Sequence, residues 1–470
     1  MIVVTAIYLR GCSISRRRKS TPSRQGSSRR GASAATLNTP LKDLAIERIS
    51  HDGRGITQWQ DKTLFVEGAL PGEVVDARVF SSQSRLAEAR VETVQVAAPE
   101  RTSPPCPHYD LCGGCQLQHI QPEHQLAIKQ RAVTEQMARW AKLTPERLLA
   151  PIESPSEGYR SRARLGVWYE KNGSVTLGFR RRRSRELTPV DRCLVLAPVL
   201  RQLLVPLGEG LAAIASRRAI THVELLLGEE GPAALLRQVK PLTEHNLSVL
   251  RALAAEQGVQ LWLDCGDGAL RDLSGQTCDP RLSYDLPEFG LNLAFHPNDF
   301  TQVNRGVNRQ MVTRAVDLLQ LKPQDQVMDL FCGIGNFTLA LASRCERVVG
   351  VEAVETMVAR GRENAARQSV DNVQFVAGDL ARLSGAELQR RCGKVSALLL
   401  DPPREGAREI LTGIGQLAPE RVVYVSCNPA TLARDAGLLA ECGYRLQSLG
   451  VLDMFPHTAH VESMALFERT

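Results

Sequence analysis

The sequence predicts an α/β chain whose C-terminal third is a doubly wound parallel sheet, preceded by a central α/β region and a small N-terminal β-barrel. Three observations carry this. From about residue 320 onward, short apolar runs alternate with helical patterns, and continuous apolar strands joined by helices imply a parallel sheet covered on both faces. Residues 41–98 are short β-rich runs punctuated by Gly and Pro turns, the pattern of a small barrel. The stretch 99–300 joins a Pro/Cys/His-rich segment to alternating strands and helices.

Composition bounds the rest. With 470 residues, 43% hydrophobic and 23% charged, the chain has ample material for several cores and is not disordered, collagenous or coiled-coil. Apolar runs such as Val395–Leu400 stop well short of the roughly 20 residues that cross a bilayer, so no membrane role is expected. The formal charge is +7, but the first 40 residues hold eight Arg/Lys and no acid. The remainder carries 50 basic against 51 acidic residues, so a nucleic-acid surface on the folded body has to be local.

Residues 1–40, Ser/Arg-rich and without apolar periodicity, are expected to form a disordered basic tail. The start Met1–Leu9 lacks a basic n-region and a small-residue cleavage site, which makes it a poor secretory signal; a cytoplasmic protein is expected. Strands are expected at Leu44–Ile49, Thr63–Val66, Val74–Val79 and Glu88–Val96. Between them stand the turn His51-Asp52-Gly53-Arg54-Gly55 and the segment Ala69-Leu70-Pro71-Gly72-Glu73. In these two motifs residues 41–98 resemble a TRAM domain, an OB-like barrel, and the resemblance implies RNA binding.

In the central region a helix is expected over Gln125–Ala141. The piece Tyr159–Arg185 holds nine Arg/Lys against one Glu, interleaved with Tyr159, Trp168, Tyr169 and Phe179. Basic residues alternating with aromatics on strands suit a face that binds phosphates and stacks bases; a solvated, salt-bridged hairpin is the alternative.

In residues 301–470, parallel strands are expected at Gln326–Phe331, Arg347–Val351, Val373–Val376, Val395–Leu400 and Arg421–Ser426, with an antiparallel pair, Tyr444–Val451 and His460–Phe467, closing the sheet. The first strand runs into Asp329-Leu330-Phe331-Cys332-Gly333-Ile334-Gly335-Asn336-Phe337, whose glycines let the backbone pass close to a ligand. Glu352 ends the second strand, where a carboxylate can accept ribose hydroxyls, and Ala377-Gly378-Asp379 ends the third. This order is the layout of a methyltransferase that uses S-adenosylmethionine. Asp401-Pro402-Pro403-Arg404 follows the fourth strand. Arg404 stands where enzymes that methylate amino groups often carry an aromatic, which argues against exocyclic nitrogen methylation. Ser426-Cys427-Asn428-Pro429 puts a thiol at a strand-to-helix turn, and the helix N-terminus is expected to lower its pKa. His460-Val461-Glu462-Ser463-Met464 puts a glutamate in an otherwise apolar closing strand, where burial is expected to raise its pKa and make it a candidate base.

One thiol, one base and one S-adenosylmethionine site are what methylation of carbon 5 of uracil demands. Carbon 5 is a poor nucleophile until a thiolate adds at carbon 6, and a base has then to remove the carbon-5 proton. With Phe300-Thr301-Gln302-Val303-Asn304 upstream, these motifs closely resemble the RNA uracil-C5-methyltransferase family over about residues 295–470. The resemblance implies that Gln302, Phe331, Asn336, Glu352, Asp379 and Asp401 line the cofactor and substrate site, that Cys427 is the nucleophile, and that Glu462 is the base.

Twelve cysteines in a chain of this length read as one metal site plus core thiols. Cys106, Cys112 and Cys115 have C-x5-C-x2-C spacing, with Cys193 as a possible fourth ligand, and four thiolates suit either zinc or an iron–sulfur cluster. The segment Cys106–Cys115 resembles the [4Fe–4S] site of the ribosomal members of the family, which implies the cluster, with Cys193 as its fourth ligand and a structural role. Barrel, cluster motif and methyltransferase motifs together resemble the branch that acts on 23S rRNA. Transfer RNA, another ribosomal site, or a noncatalytic RNA-binding iron–sulfur protein are the alternatives. No obligatory protein partner is expected.

Overall fold

The structure, a computed structural model, describes residues 38–214 and 218–470. Of the tail expected over residues 1–40, only the last three residues fall within them. The chain divides into two compact units, one ending at Arg101 and the other beginning at Thr102.

The first unit holds six strands: β1 (Pro40–Ala45), β2 (Arg48–Ile49), β3 (Gly55–Trp59), β4 (Lys62–Glu67), β5 (Val74–Ser82) and β6 (Leu86–Val96). Their order is β1-β5-β6-β4-β3-β2. Only Ile46 and Glu47 separate β1 from β2, yet these two occupy opposite edges of the sheet. The three steps from Ala45 to Arg48 span at most about 11 Å, so the sheet has to curl until its edges meet, which is the expected barrel. The run expected over Leu44–Ile49 is broken at that corner. Leu64, Val66, Val75, Ala77, Val79 and Ala89 fill the interior. Glu73 of the turn before β5 is buried, and its carboxylate accepts from the backbone N–H of Leu70 and Ala98 and from the Arg101 guanidinium. Burial acts to raise its pKa, but Arg101 and these N–H groups hold it below the usual range.

The second unit opens with the cysteine-bearing loop and α1 (Pro122–Gln136), which runs on through a π-turn to Ala141 and stops at Lys142 in a left-handed conformation. A short strand, β7 (Arg147–Leu148), follows. An eight-stranded sheet then holds β8 (Arg162–Tyr169), β9 (Val175–Arg180), β10 (Leu187–Pro189), β11 (Ile220–Gly228), β12 (Gly231–Gln238), β13 (Gln260–Asp264), β14 (Leu270–Arg271) and β15 (Thr277–Cys278). Its order is β10-β9-β8-β11-β12-β13-β14-β15. Along β8 the side chains alternate, with Ala163, Leu165, Val167 and Tyr169 buried while Arg164 and Trp168 stay exposed, so one face of the sheet packs throughout while the other is open along β8 and is covered at β11 to β13, where Leu226, Leu235 and Trp262 enter a second core. A hairpin, β16 (Leu282–Leu286) and β17 (Leu291–Phe295), leads to α2 (Arg305–Leu319).

The C-terminal sheet contains β18 (Gln326–Leu330), β19 (Arg347–Glu352), α3 (Glu355–Arg367), β20 (Val373–Ala377), β21 (Ala397–Leu400), β22 (Arg421–Ser426), α4 (Pro429–Glu441), β23 (Tyr444–Leu452) and β24 (Glu462–Arg469). The order is β20-β19-β18-β21-β22-β24-β23-β7, with β18 to β22 parallel and β24 antiparallel to both neighbours. The expected doubly wound sheet and antiparallel closing pair are both present. Successive residues of β21 feed different cores: Ala397 and Leu399 enter one, Leu398 and Leu400 the other. The period-2 alternation of a strand with helices on both faces dictates this, and it explains why the strand reads as unbroken apolar sequence. Strand order reverses between β18 and β21, and crevices at such switch points bind ligands at the strands' carboxyl ends.

Candidate active site and thiol site

Every C-terminal site motif lies at that end of the sheet. After β18 the backbone turns sharply, with Phe331 at φ 65°, Gly333 at φ 56° and Gly335 at φ 96°. A Cβ at Gly335 would stand 2.9 Å from the Phe375 ring, so glycine is required there both for its φ and for the close approach. Glu352, at the end of β19, accepts from the Gly333 N–H at 3.2 Å and from the Val354 N–H at 3.0 Å, which fixes its carboxylate beside the loop. The Asn336 amide forms a reciprocal pair with Asn308 of α2, at 3.0 Å each way, and accepts from the Tyr284 hydroxyl at 2.9 Å. Gln302 lines a cavity with Ser161, Arg162, Tyr284 and Asn308. Asp379 is exposed and paired with Arg382 at 3.2 Å. Its neighbour Gly378 donates its N–H to the Glu352 carbonyl at 2.9 Å, which places Asp379 just beyond the end of β20.

Asp329 is fully buried, with one carboxylate oxygen accepting from Thr338 at 2.6 Å and the other without a partner. Burial, with the nearby Asp401 and Glu352 charges, raises its pKa to about 7. Asp401, at the end of β21, is likewise pushed up to about 7 by burial.

On the other side of the switch point, Ser426 of β22 is in register with Ser463 of β24. Cys427 and Glu462 therefore flank that pair at the same end of two neighbouring strands. Glu462 is 4% exposed, and burial together with the Asp401 charge raises its pKa well above the usual carboxylate value, as the sequence led us to expect. Cys427 departs from expectation. Its pKa is pushed up to about 12, first by burial and then by the Glu462 and Asp401 charges, with only Arg404 and a backbone hydrogen bond opposing. The following helix does not win because the thiol is buried and two acidic groups share the crevice with it, while a helix terminus contributes only about half a unit charge.

Arg404 is held by its backbone. Asn428 Nδ2 donates to its carbonyl at 3.1 Å, and Arg434 of α4 donates to the neighbouring Glu405 carbonyl at 2.7 Å. Its guanidinium donates to His460 Nδ1 at 3.0 Å. Burial and the Arg404 charge lower the His460 pKa to about 4, so the ring is neutral and can accept. Tyr284, Asn308 and His460 were not singled out from the sequence. The first two come from the hairpin and helix before the motifs, and no spacing signal ties them to the loop they brace.

The cysteine-bearing loop lies elsewhere in the same unit. Cys106, Cys112, Cys115 and Cys193 are all free and partly buried. They feel one another's charge: Cys115 is raised to about 12 by burial and then by Cys193, Cys112 and Cys106, and Cys193 to about 11 by burial, with Cys112 and Cys106 contributing. Arg182, from the basic hairpin, stacks 4.4 Å over Tyr109 and donates to the Cys112 and Cys115 carbonyls at 3.0 and 2.6 Å. His108 and Asp191 join the loop to the segment bearing Cys193 at 2.9 Å. Among the described residues, no group of three or more His, Cys, Asp or Glu side chains stands at the spacing that holds a metal ion. No helix among them is long and apolar enough to cross a membrane.

Comparison with known proteins adds to this geometry. Residues 121–470 match the family model for tRNA (uracil-5-)-methyltransferase, and residues 42–91 match that of the TRAM domain. The 23S rRNA (uracil(1939)-C(5))-methyltransferase RlmD of Alkalilimnicola ehrlichii is 47% identical over 429 residues, covering 91% of this chain and 96% of that protein. The protein of the same name from Pseudomonas entomophila is 46% identical over 427 residues, covering 90% and 93%. The crystal structure of Pyrococcus abyssi tRNA (uracil-54, C5)-methyltransferase in complex with S-adenosyl-L-homocysteine superimposes with a TM-score of 0.70 at 22% identity, covering 91% of this chain and 99% of that one, a likeness of fold.

Proposed function

The chain belongs to the tRNA (uracil-5-)-methyltransferase family, and from that premise we propose that it methylates carbon 5 of a uridine in 23S rRNA, at the site named for its RlmD relatives. The observation that carries this reading is the pairing of Cys427 with Glu462 at matched ends of β22 and β24, with Asp401 and Arg404 acting on both by charge.

The crevice fits S-adenosylmethionine. Gly333 and Gly335, both at positive φ, give the loop its sharp turn at the strand's carboxyl end, and Glu352 is held there by the Gly333 and Val354 N–H groups. Gln302, Phe331, Asn336, Glu352 and Asp401 would hold it, with Asp379 contributing only after leaving Arg382. When bound, it supplies an electrophilic methyl and a sulfonium charge.

The chain's own residues do the rest. Cys427 gives up its thiol proton to solvent and adds as thiolate to carbon 6 of uracil, and the ring electrons make carbon 5 nucleophilic toward the methyl. Glu462, as carboxylate, takes the carbon-5 proton; the electron pair returns to the ring and expels the thiolate from carbon 6. A raised pKa makes Glu462 the stronger base once ionised, and Arg404 supplies the opposing positive charge. The target base has to leave its stack to reach this crevice.

RNA is held by the barrel and by the part of the central sheet that is open along β8. There Trp168 is 56% exposed with Arg218 5.9 Å from its ring. Burial and then the charges of Arg164, Arg180 and Arg237 depress His222 on the same sheet. Guanidiniums around an exposed indole suit phosphates and an unstacked base. We further propose that Cys106, Cys112, Cys115 and Cys193 hold a [4Fe–4S] cluster. Four thiols from two segments, bound together by Arg182 and by the His108–Asp191 pair, are a donor set of the required kind. The test is tritium release from RNA labelled at carbon 5 of uridine, comparing 23S rRNA fragments with transfer RNA. Release from the ribosomal fragment supports the assignment. Release from transfer RNA alone overturns the substrate, and methylation without release overturns the chemistry.

A further inference from the structure

The connection between β23 and β24, residues 453–461, delivers His460 and Glu462 to the crevice, and it contains one strained residue. His457 has φ 65°, a region that non-glycine residues occupy only where their surroundings over-determine it. Those surroundings are explicit. The His457 N–H donates to Gln125 Oε1 of α1 at 2.9 Å. Its carbonyl accepts from the backbone N–H groups of Gln116 and Leu117, each at 2.9 Å. Its ring Nδ1 lies 3.1 Å from Gln125 Nε2, which also donates to the Ile120 carbonyl at 2.7 Å. The same connection is tied to α1 again by Lys129, which donates to Asp453 at 2.7 Å and to the Phe455 carbonyl at 2.9 Å. Gln116 also accepts from the Ala459 N–H at 3.3 Å.

Gln125 is 2% exposed, and both ends of its amide are spent on this clamp. We propose that Gln125 is a positioning residue for the catalytic end of β24. By fixing His457 in its left-handed conformation, it sets the path of residues 458–461 and so the place of His460 against Arg404 and of Glu462 beside Cys427. The inference rests on Glu462 acting as the base that resolves the covalent adduct. Because Gln116 and Leu117 directly follow Cys115, the thiol loop forms the other jaw of the same clamp.

The test uses the full chain with two variants at this position. Gln125→Met keeps the volume and loses the hydrogen bonds; Gln125→Glu, protonated when buried, keeps one acceptor and one donor. Displacing a catalytic group by about an ångström costs on the order of 10- to 100-fold in rate, so turnover of Gln125→Met should fall by that much. RNA affinity and the absorbance of the thiol site should be unchanged, and a covalent protein–RNA adduct should accumulate as proton removal lags behind thiol addition. Gln125→Glu should recover most of the rate and lose the adduct. Glu462→Gln is run alongside. Adduct in Glu462→Gln but not in Gln125→Met, or full turnover in Gln125→Met, overturns the positioning role alone. No adduct in either variant overturns the reading of Glu462 and this inference with it.

Discussion

Cys427 and Glu462 stand one residue beyond the Ser426–Ser463 register pair, at the same end of two antiparallel neighbours. The sheet thus delivers a thiol and a carboxylate to one crevice through strand register rather than loop conformation, and strands hold side chains more precisely than loops do. Asp401 reaches the same place from β21, the neighbour of β22 on its other side.

A thiol pushed up to about 12 is almost wholly protonated at neutral pH. Iodoacetamide should therefore alkylate Cys427 in the free protein more slowly than an ordinary thiol at pH 7.5, taking an ordinary pKa of about 8.5. Glu462→Gln and Asp401→Asn should each speed the reaction by removing a negative charge. Peptide mapping after timed alkylation measures this, and a fast, pH-independent Cys427 would contradict it.

Asp329 gives a stability signature. Its folded pKa of about 7 lies above the ordinary value of 3.8, so the folded chain favours the protonated form. Its stabilising contribution is whole below that ordinary value and is lost as pH rises through 7, by up to roughly 4 kcal/mol. Asp329→Asn cannot ionise and can still accept from Thr338. Urea denaturation at pH 5 and pH 8 should show the parent losing more stability than the variant across that interval. Parallel losses in the two would contradict the burial argument.

The exposed side of β8 in the central sheet should carry part of the RNA affinity. Trp168→Ala should weaken binding by about 1–3 kcal/mol, the usual worth of one stacked base. Arg164→Ala should flatten the salt dependence of binding by about one phosphate contact. Filter binding across a salt series, with and without each substitution, reads both. Unchanged affinity in both variants would remove RNA from this face.

The thiol site should yield iron and acid-labile sulfide in equal amounts from anaerobically prepared protein, and little zinc. Cys193→Ser should lower both, since the fourth ligand comes from outside the loop. Zinc without sulfide would overturn the cluster.

Much of this was legible in sequence because parallel strands buried on both faces read as unbroken apolar runs, and every candidate site motif of the C-terminal sheet sits at the end of the sheet where the parallel strands have their carboxyl ends. The raised pKa of Glu462 was legible too, since a carboxylate in an apolar strand has few ways to be solvated. The raised pKa of Cys427 was not. It depends first on burial and then on Asp401 and Glu462, 26 residues before it and 35 after it in the sequence, meeting the thiol in space. Nor was the bracing of Asn336 by Tyr284 and Asn308, or the clamp on His457. Each joins segments whose separation in sequence carries no periodic signal.

The most direct measurement uses 23S rRNA fragments carrying 5-fluorouridine at the target, whose fluorine cannot be removed as a proton. Incubated with protein and S-adenosylmethionine, the RNA should be retained covalently, and mass spectrometry of the digested adduct should find the methylated, fluorinated nucleotide on Cys427. Unretained RNA, or a nucleotide bound to any other residue, would contradict the account.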